Sequence, residues 1–203
     1  KNGDEKWPNW NTVPLQTYQG GLNAEPLSGG TPTGYYLKKY CQTAVDLRAG
    51  TASKTYHSWI TFRFGEFYLN YAEAVYKYLG SPYATDSEFT TSAGGAMKVV
   101  RTRAGMPGFP QGMTNDAFWK KYQNERMVEL AFEGHRFWDV RRWKEGDKHF
   151  KNIVEMKITK NGDDTYTYER KVKERSWDDK MYFFPIPQSE KSKNPNLEQN
   201  PGW

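Results

Sequence analysis

One cysteine in 203 residues, Cys41, excludes an intramolecular disulfide, so this chain is held by packing and polar bonds. A lone thiol among aromatics is expected to be a small buried hydrophobe, and cysteine usage leaves the compartment open. No run of about 18 apolar residues occurs, which leaves no candidate transmembrane helix. From Lys1 onward the first residues are polar, with no apolar signal-peptide core, as though the chain were cut from something longer. Charge of one sign is not in large excess. Lys and Arg number 29 against 24 Asp and Glu, a formal +5, and the two signs are interleaved. A nucleic-acid interface calls for a basic stripe with few acids in it. The densest basic segment, Arg170 to Arg175, is broken by Val172 and Glu174 and reads as a solvated strand face. Neither a phosphate-cradling glycine loop nor a nucleophile elbow is present. No nucleic acid and no cofactor are therefore expected.

Apolar residues make up only 36% of the chain, yet aromatics make up 16%, with 14 Tyr, 11 Phe and 8 Trp. Aromatic rings bury large areas and also offer a flat apolar face beside a polar handle. Both an aromatic core and stacking surfaces are expected.

The chain reads as mainly α. Residues 1–60 are loop-rich, punctuated by Gly20-Gly21, Gly29-Gly30 and Thr31-Pro32. From Phe64 to Leu79, Phe64, Tyr68, Tyr71, Val75 and Leu79 recur at helical spacing, and Gly80-Ser81-Pro82 ends the run. A second helix is expected over 93–104, with Met97, Val100 and Ala104 inward, forming an antiparallel hairpin with the first. A loose tetratricopeptide flavour attends the pair, without a clean second copy. A long helix follows over 114–143, N-capped by Thr114 or Asn115, with Trp119, Met127, Leu130, Ala131, Gly134 and Trp138 as its inner stripe. Gly134 costs that helix about 1 kcal/mol and marks either a close backbone approach, a kink or a break. Alternation around Asn161-Gly162-Asp163-Asp164 predicts a β-hairpin over about 153–173. The proline-clipped tail from Met181 reads as an extended strap laid on the helices. These parts (1–60, 61–146 and 147–203) are expected to form one domain.

Glu125, Glu129, Glu133 and Arg136 follow at steps of four, four and three, along one side of the long helix. Such spacing favours a structural ion-pair lattice. The sharper alternative is a glycoside hydrolase using Glu129 and Glu133 as paired carboxylates, but nearby arginines work against a raised pKa on a general acid. Glu133 and His135 lie two apart on a helix and face different ways, so a metal site is not expected; His57 and His149 read as isolated surface residues. Trp7, Trp10, Tyr18, Tyr35 and Tyr36 sit in the loop-rich segment beside Asn9, Asn11, Gln16 and Gln19. Rings flanked by amides match the apolar face and hydroxyl rim of a sugar. The alternative is that they pack over the helices.

Three stretches resemble one family: Phe64-Gly-Glu-Phe-Tyr-Leu-Asn-Tyr-Ala-Glu-Ala74, Glu125 through Trp143 (ERMVELAFEGHRFWDVRRW), and Phe184-Pro-Ile-Pro-Gln-Ser-Glu190 with Asn194-Pro-Asn-Leu and the ending Gln199-Asn-Pro-Gly-Trp203. Arg101-Thr-Arg-Ala-Gly-Met-Pro107 and Gly34-Tyr-Tyr-Leu-Lys-Lys39 fit as well. Together they resemble the C-terminal region of the SusD/RagB family of Bacteroidetes nutrient-uptake proteins. The resemblance implies a surface-exposed outer-membrane lipoprotein without catalytic activity. It implies binding of oligosaccharide as the lid of a SusC-type TonB-dependent transporter, on a scaffold of tetratricopeptide-like helical hairpins. The family's lipidated cysteine and N-terminal half have no counterpart in these residues, and Cys41 is mid-chain. No glycan-binding residue transfers by motif, so the site rests on the loop aromatics. The competing reading is an interaction fragment that docks on the transporter or on the missing half.

Overall fold

The computed structural model describes residues 15–24, 33–41, 56 and 58–203. The chain divides into two compact units, one formed by His57–Asp139 and the other by Lys1–Tyr56 with Val140–Trp203.

The first unit is helical. Helix α1 spans Phe64–Leu79, α2 Ala93–Arg103 and α3 Asn115–Glu129. Short hydroxylated caps start two of them: Ser92 accepts from the Gly95 N–H at 3.1 Å and Thr114 from the Ala117 N–H at 3.3 Å. Gly80 closes α1, its N–H bonding the Tyr76 carbonyl. Pro82 accepts from the Gly94 N–H, so α2 begins beside the end of α1 and runs back along it. Asn115 donates to the Gly80 carbonyl at 2.8 Å, which starts α3 at that same end. Alpha helices α2 and α3 therefore both run antiparallel to α1, as expected of a hairpin for the first pair.

The core of this unit is Leu69, Ala72 and Val75 of α1, Ala93, Ala96, Met97 and Val100 of α2, and Phe118 and Tyr122 of α3. The expected inward sides are corrected at four residues. Ala104 is exposed; Phe64 is 73% exposed and lies on the outer side of α1; Met127 and Trp138 are exposed too. In α3 the inward positions go instead to Phe118, Tyr122, Gln123 and Arg126. Polar groups are tolerated there because each has a partner. The Tyr122 hydroxyl donates to Glu73 at 2.8 Å and lies 3.0 Å from the Leu69 carbonyl; Arg126 donates to Asp139 at 2.7 Å and Asn70 at 2.8 Å.

The helix expected over 114–143 is interrupted. Helix α3 ends at Glu129, and α4 (His135–Arg142) begins after a turn in which Phe132 and Gly134 take φ of 62° and 84°. Nothing lies within 4 Å of a Cβ built on Gly134, so its role is the break and not a close approach. Phe132 is the costly residue, since a left-handed conformation disfavours any side chain by about 1–2 kcal/mol. Its ring is 66% exposed, so little packing offsets the strain. Phe132→Gly is expected to stabilise the chain by about 1 kcal/mol in urea unfolding. An unchanged or lowered midpoint would show that the ring makes compensating contacts.

The second unit holds the predicted hairpin. Strand β1 (Asn152–Lys160) pairs antiparallel with β2 (Tyr166–Glu174), with Ile158 opposite Tyr168 and Met156 opposite Arg170. Asn161 donates its N–H to the Thr165 carbonyl across the turn. Along the other edge of β1, Gln19 donates to the Ile158 carbonyl and Met156 to the Thr33 carbonyl. The outer edge of β2 pairs with no strand among the described residues, and its side chains are almost all exposed, as a solvated face requires.

A short helix, α5 (Gly146–Phe150), precedes the hairpin. The tail contains a 3-10 turn (Asp179–Tyr182) and α6 (Gln188–Lys193), and elsewhere is extended. It folds on itself through Gln199, whose amide both accepts from and donates to the Ile186 backbone at 2.7 and 3.0 Å. Trp203 donates its indole N–H to the Lys180 and Phe183 carbonyls. Cys41 is exposed, contrary to the buried position expected of it; its thiol lies 3.2 Å from the Leu37 carbonyl.

Candidate functional site: loop tyrosines beside the hairpin

The hairpin brings the loop tyrosines into one neighbourhood. The segment 15–24 is a self-bonded loop. Gln16 and Asn23 exchange bonds, the Gln16 N–H reaching Asn23 Oδ1 at 3.1 Å and the Asn23 N–H reaching the Gln16 carbonyl at 3.0 Å. Gln16 Oε1 is occupied by the Leu22 N–H, so this amide braces the loop and is not free for a ligand. Gln19 anchors the loop to β1, and Tyr18 then meets Tyr166 of β2 at 5.8 Å between centroids, with ring planes 44° apart. Lys160 Nζ sits 6.0 Å from the Tyr18 centroid and pairs with Asp164 at 2.7 Å. That pairing raises the Lys160 pKa and lowers that of Asp164.

Tyr35 and Tyr36 belong to an extended segment that Thr33 and Gly34 lay against β1. At Gly34, with φ 78°, a Cβ would lie 2.5 Å from the Met156 carbonyl oxygen, so only glycine permits this approach. Both rings are exposed, and the Tyr36 hydroxyl donates to the Asn23 carbonyl at 3.3 Å, tying it to the Tyr18 loop. Tyr18, Tyr35 and Tyr36 are thus gathered around one hairpin edge. Tyr166 and Lys160 join them, and sequence reasoning missed both. The alternation of the hairpin placed them on one face, but nothing in the sequence showed which loop would cover it. Trp7, Trp10, Asn9, Asn11 and His57 lie outside the described residues.

The carboxylate row has a different character. Arg63, the residue before α1, donates through Nε to Glu133 at 2.7 Å, through Nη1 to Glu129 at 2.5 Å, and through Nη2 to the Glu129 carbonyl at 2.6 Å. The bond to Glu133, followed by that to Glu129 and both negative charges, holds the Arg63 pKa above its ordinary value, with burial acting the other way. Arg103 adds a second bond to Glu129 at 2.6 Å, and Arg101 pairs with Glu125. The ion-pair lattice is therefore tertiary, joining α3 to other elements rather than running along one helix. It leaves Glu129 and Glu133 as charge-paired struts, unlike the separated acid and base of glycoside hydrolysis. His135 faces Glu66 at 3.6 Å, and His149 bonds Glu145 at 2.8 Å, so His149 is partnered and partly buried rather than isolated. No group of His, Cys, Asp and Glu suited to a metal occurs among the described residues. The acidic turn at Asp163 is internally satisfied, since Thr165 donates twice to that carboxylate and lowers its pKa.

One unit is built of antiparallel helices, and the other displays tyrosines along a small hairpin. The chain belongs to the SusD family, whose model matches residues 5–203. A solved SusD-like protein from Bacteroides fragilis NCTC 9343 is 28% identical, with a TM-score of 0.77 over 100% of this chain. A second solved chain is 34% identical over 76% of this one, with a TM-score of 0.52. The chain spans 37% of the length of the first and 24% of the second. No curated protein matches significantly. Membership agrees with the mainly helical fold expected from the motifs. Proteins of this family are generally non-catalytic and cell-surface exposed. No described helix is long and apolar enough to cross a membrane.

Proposed function

We propose that this chain is part of a surface glycan-binding protein that delivers oligosaccharide to a SusC-like TonB-dependent transporter, without catalysis. The match of the SusD family model across residues 5–203 carries the reading. The ligand surface is assigned to Tyr18, Tyr35 and Tyr36 with Trp7 and Trp10, extended by Tyr166 beside Tyr18. Tyrosine rings on a loop braced by Gln16 and Asn23 offer flat apolar faces at low ordering cost, which suits the C–H face of a sugar ring. Membrane association comes through a lipid anchor outside these residues.

A glycan panel titrated calorimetrically against this chain and its full-length parent tests the reading. Tyr18→Ala and Tyr36→Ala are each expected to weaken binding roughly tenfold, about 1.4 kcal/mol, with little dependence on salt. Binding by the parent that neither substitution alters would place the site elsewhere. Release of reducing ends by the wild type, lost in Glu129→Gln, would revive the hydrolase.

A further inference from the structure

One face of the hairpin carries the tyrosine row beyond the loop that meets its start. Register sets Lys160 opposite Tyr166, Ile158 opposite Tyr168, Met156 opposite Arg170 and Val154 opposite Val172. All eight side chains share that face, because directly paired residues and those two apart point the same way. Tyr18 meets the row at Tyr166. Farther along β2, Tyr168 and Val172 are each 57% exposed, and Arg170 between them is exposed as well. Successive members of the row stand roughly 7 Å apart.

The cations of the hairpin are not equivalent. Lys160 pairs with Asp164 at 2.7 Å, and on the opposite face Lys157 pairs with Glu169 at 3.5 Å. Lys171, also on that opposite face, stands across from Glu155. Arg170 has no acid beside it. Met156 faces it, Val154 and Ile158 are its diagonal neighbours, and Tyr168 and Val172 flank it along the strand. Glu174, the next acid on this face, is four residues on, roughly 13 Å along the strand. Among the described residues no carboxylate pairs with Arg170. A guanidinium set among apolar side chains is a cation that a ligand can neutralise. Its planar fork matches both oxygens of a carboxylate.

We propose that the glycan taken by this protein is acidic, with sugar rings laid along Tyr18, Tyr166 and Tyr168 and a sugar carboxylate held by Arg170. The inference rests on the glycan-binding reading and narrows it to chains that carry uronic acids. Charge complementarity at one point of the row selects the occupant. A nucleic acid calls for a basic stripe, whereas this face offers one unpaired cation, between a tyrosine and a valine. Stacking on a ring is indifferent to a distant substituent. The tyrosines therefore supply affinity, and Arg170 supplies the choice between acidic and neutral sugars.

The test titrates alginate, galacturonan and hyaluronan oligosaccharides, each beside its own methyl ester, against the full-length parent by calorimetry. At least one acid is expected to bind about tenfold more tightly than its ester, a gap that shrinks as salt rises. Arg170→Gln should close the gap. Lys173→Gln removes a charge from the opposite face and should keep it. Tyr18→Ala should weaken acid and ester alike, by a factor that salt does not change. Esters that bind as tightly as their acids overturn the inference. So does a gap that survives Arg170→Gln, or one that Lys173→Gln narrows equally. Glycan binding that Tyr18→Ala weakens, without any preference for acids, sinks the inference and leaves the glycan reading standing. Absence of binding to every glycan overturns both. A thymidine oligonucleotide that competes better than every acid would assign the row to nucleic acid and overturn the inference equally.

Discussion

Replacing Arg63 with methionine is expected to destabilise the helical unit by about 3 kcal/mol or more, read as a lowered urea midpoint with an unchanged slope. The guanidinium meets two carboxylates and a backbone carbonyl at once. Both carboxylates are about nine-tenths buried, and methionine keeps the side-chain bulk while removing all three bonds of the fork. Arg103 still reaches Glu129, but Arg103 is itself largely exposed and replaces little of what the fork supplies. Lysine should rescue little, because one ammonium cannot reproduce a fork that addresses three acceptors in fixed directions. A loss below about 1 kcal/mol would place this lattice among ordinary surface ion pairs.

Gly146→Ala should be comparably severe in the other unit. A Cβ at Gly146 would lie 1.9 Å from Trp177 Cζ2 and 2.2 Å from Cε2, far inside any real contact. The indole has little room to retreat, since it lies against Phe150 at 5.4 Å, Tyr182 at 5.1 Å and the Arg141 guanidinium. The Tyr182 hydroxyl also accepts from the Gly146 N–H at 2.9 Å, which pins the helix start to that cluster. Burial among these rings lowers the Arg141 pKa, a sign of how closely they surround the charge. Overpacking of this kind typically costs about 1–3 kcal/mol, and the rigidity of an indole puts this case at or above the upper end. Trp177→Leu should recover part of the loss in Gly146→Ala, because it removes the clashing ring. Failure of the double variant to recover any stability would show that backbone conformation, not contact, makes Gly146 necessary.

The fold was legible wherever local chemistry decides it. Periodicity and punctuation placed α1, α2 and the start of α3, and Asn161-Gly162 placed the hairpin. The error lay in which side of each helix faces inward. Phe64 and Trp138 look like core residues because they are large and apolar, while Tyr122 and Arg126 look like surface. Burial followed satisfaction of polar groups instead: Arg126 finds Asp139 and Asn70, partners 13 and 56 positions away that no local pattern reveals. The break after Glu129 was visible only as an unplaced Gly134. The candidate site was legible as residue types and not as an arrangement. Tyr18, Tyr35 and Tyr36 share a hairpin edge because Gln19 and Thr33 bond to β1, backbone contacts to which side-chain identity gives no clue.

The two edges of that hairpin also bear on how the chain behaves at high concentration. One edge is closed by Gln19 and Thr33, but among the described residues no strand pairs with the outer edge of β2. Glu169, Arg170, Lys171, Lys173 and Glu174 stand along it, interrupted only by Val172. A second β2 drawn up alongside would have to bring these charges into close ranks, and lysine and arginine on an edge oppose such recruitment. The same basic run that resembled a weak nucleic-acid signal thus keeps copies of this protein from knitting into a shared sheet.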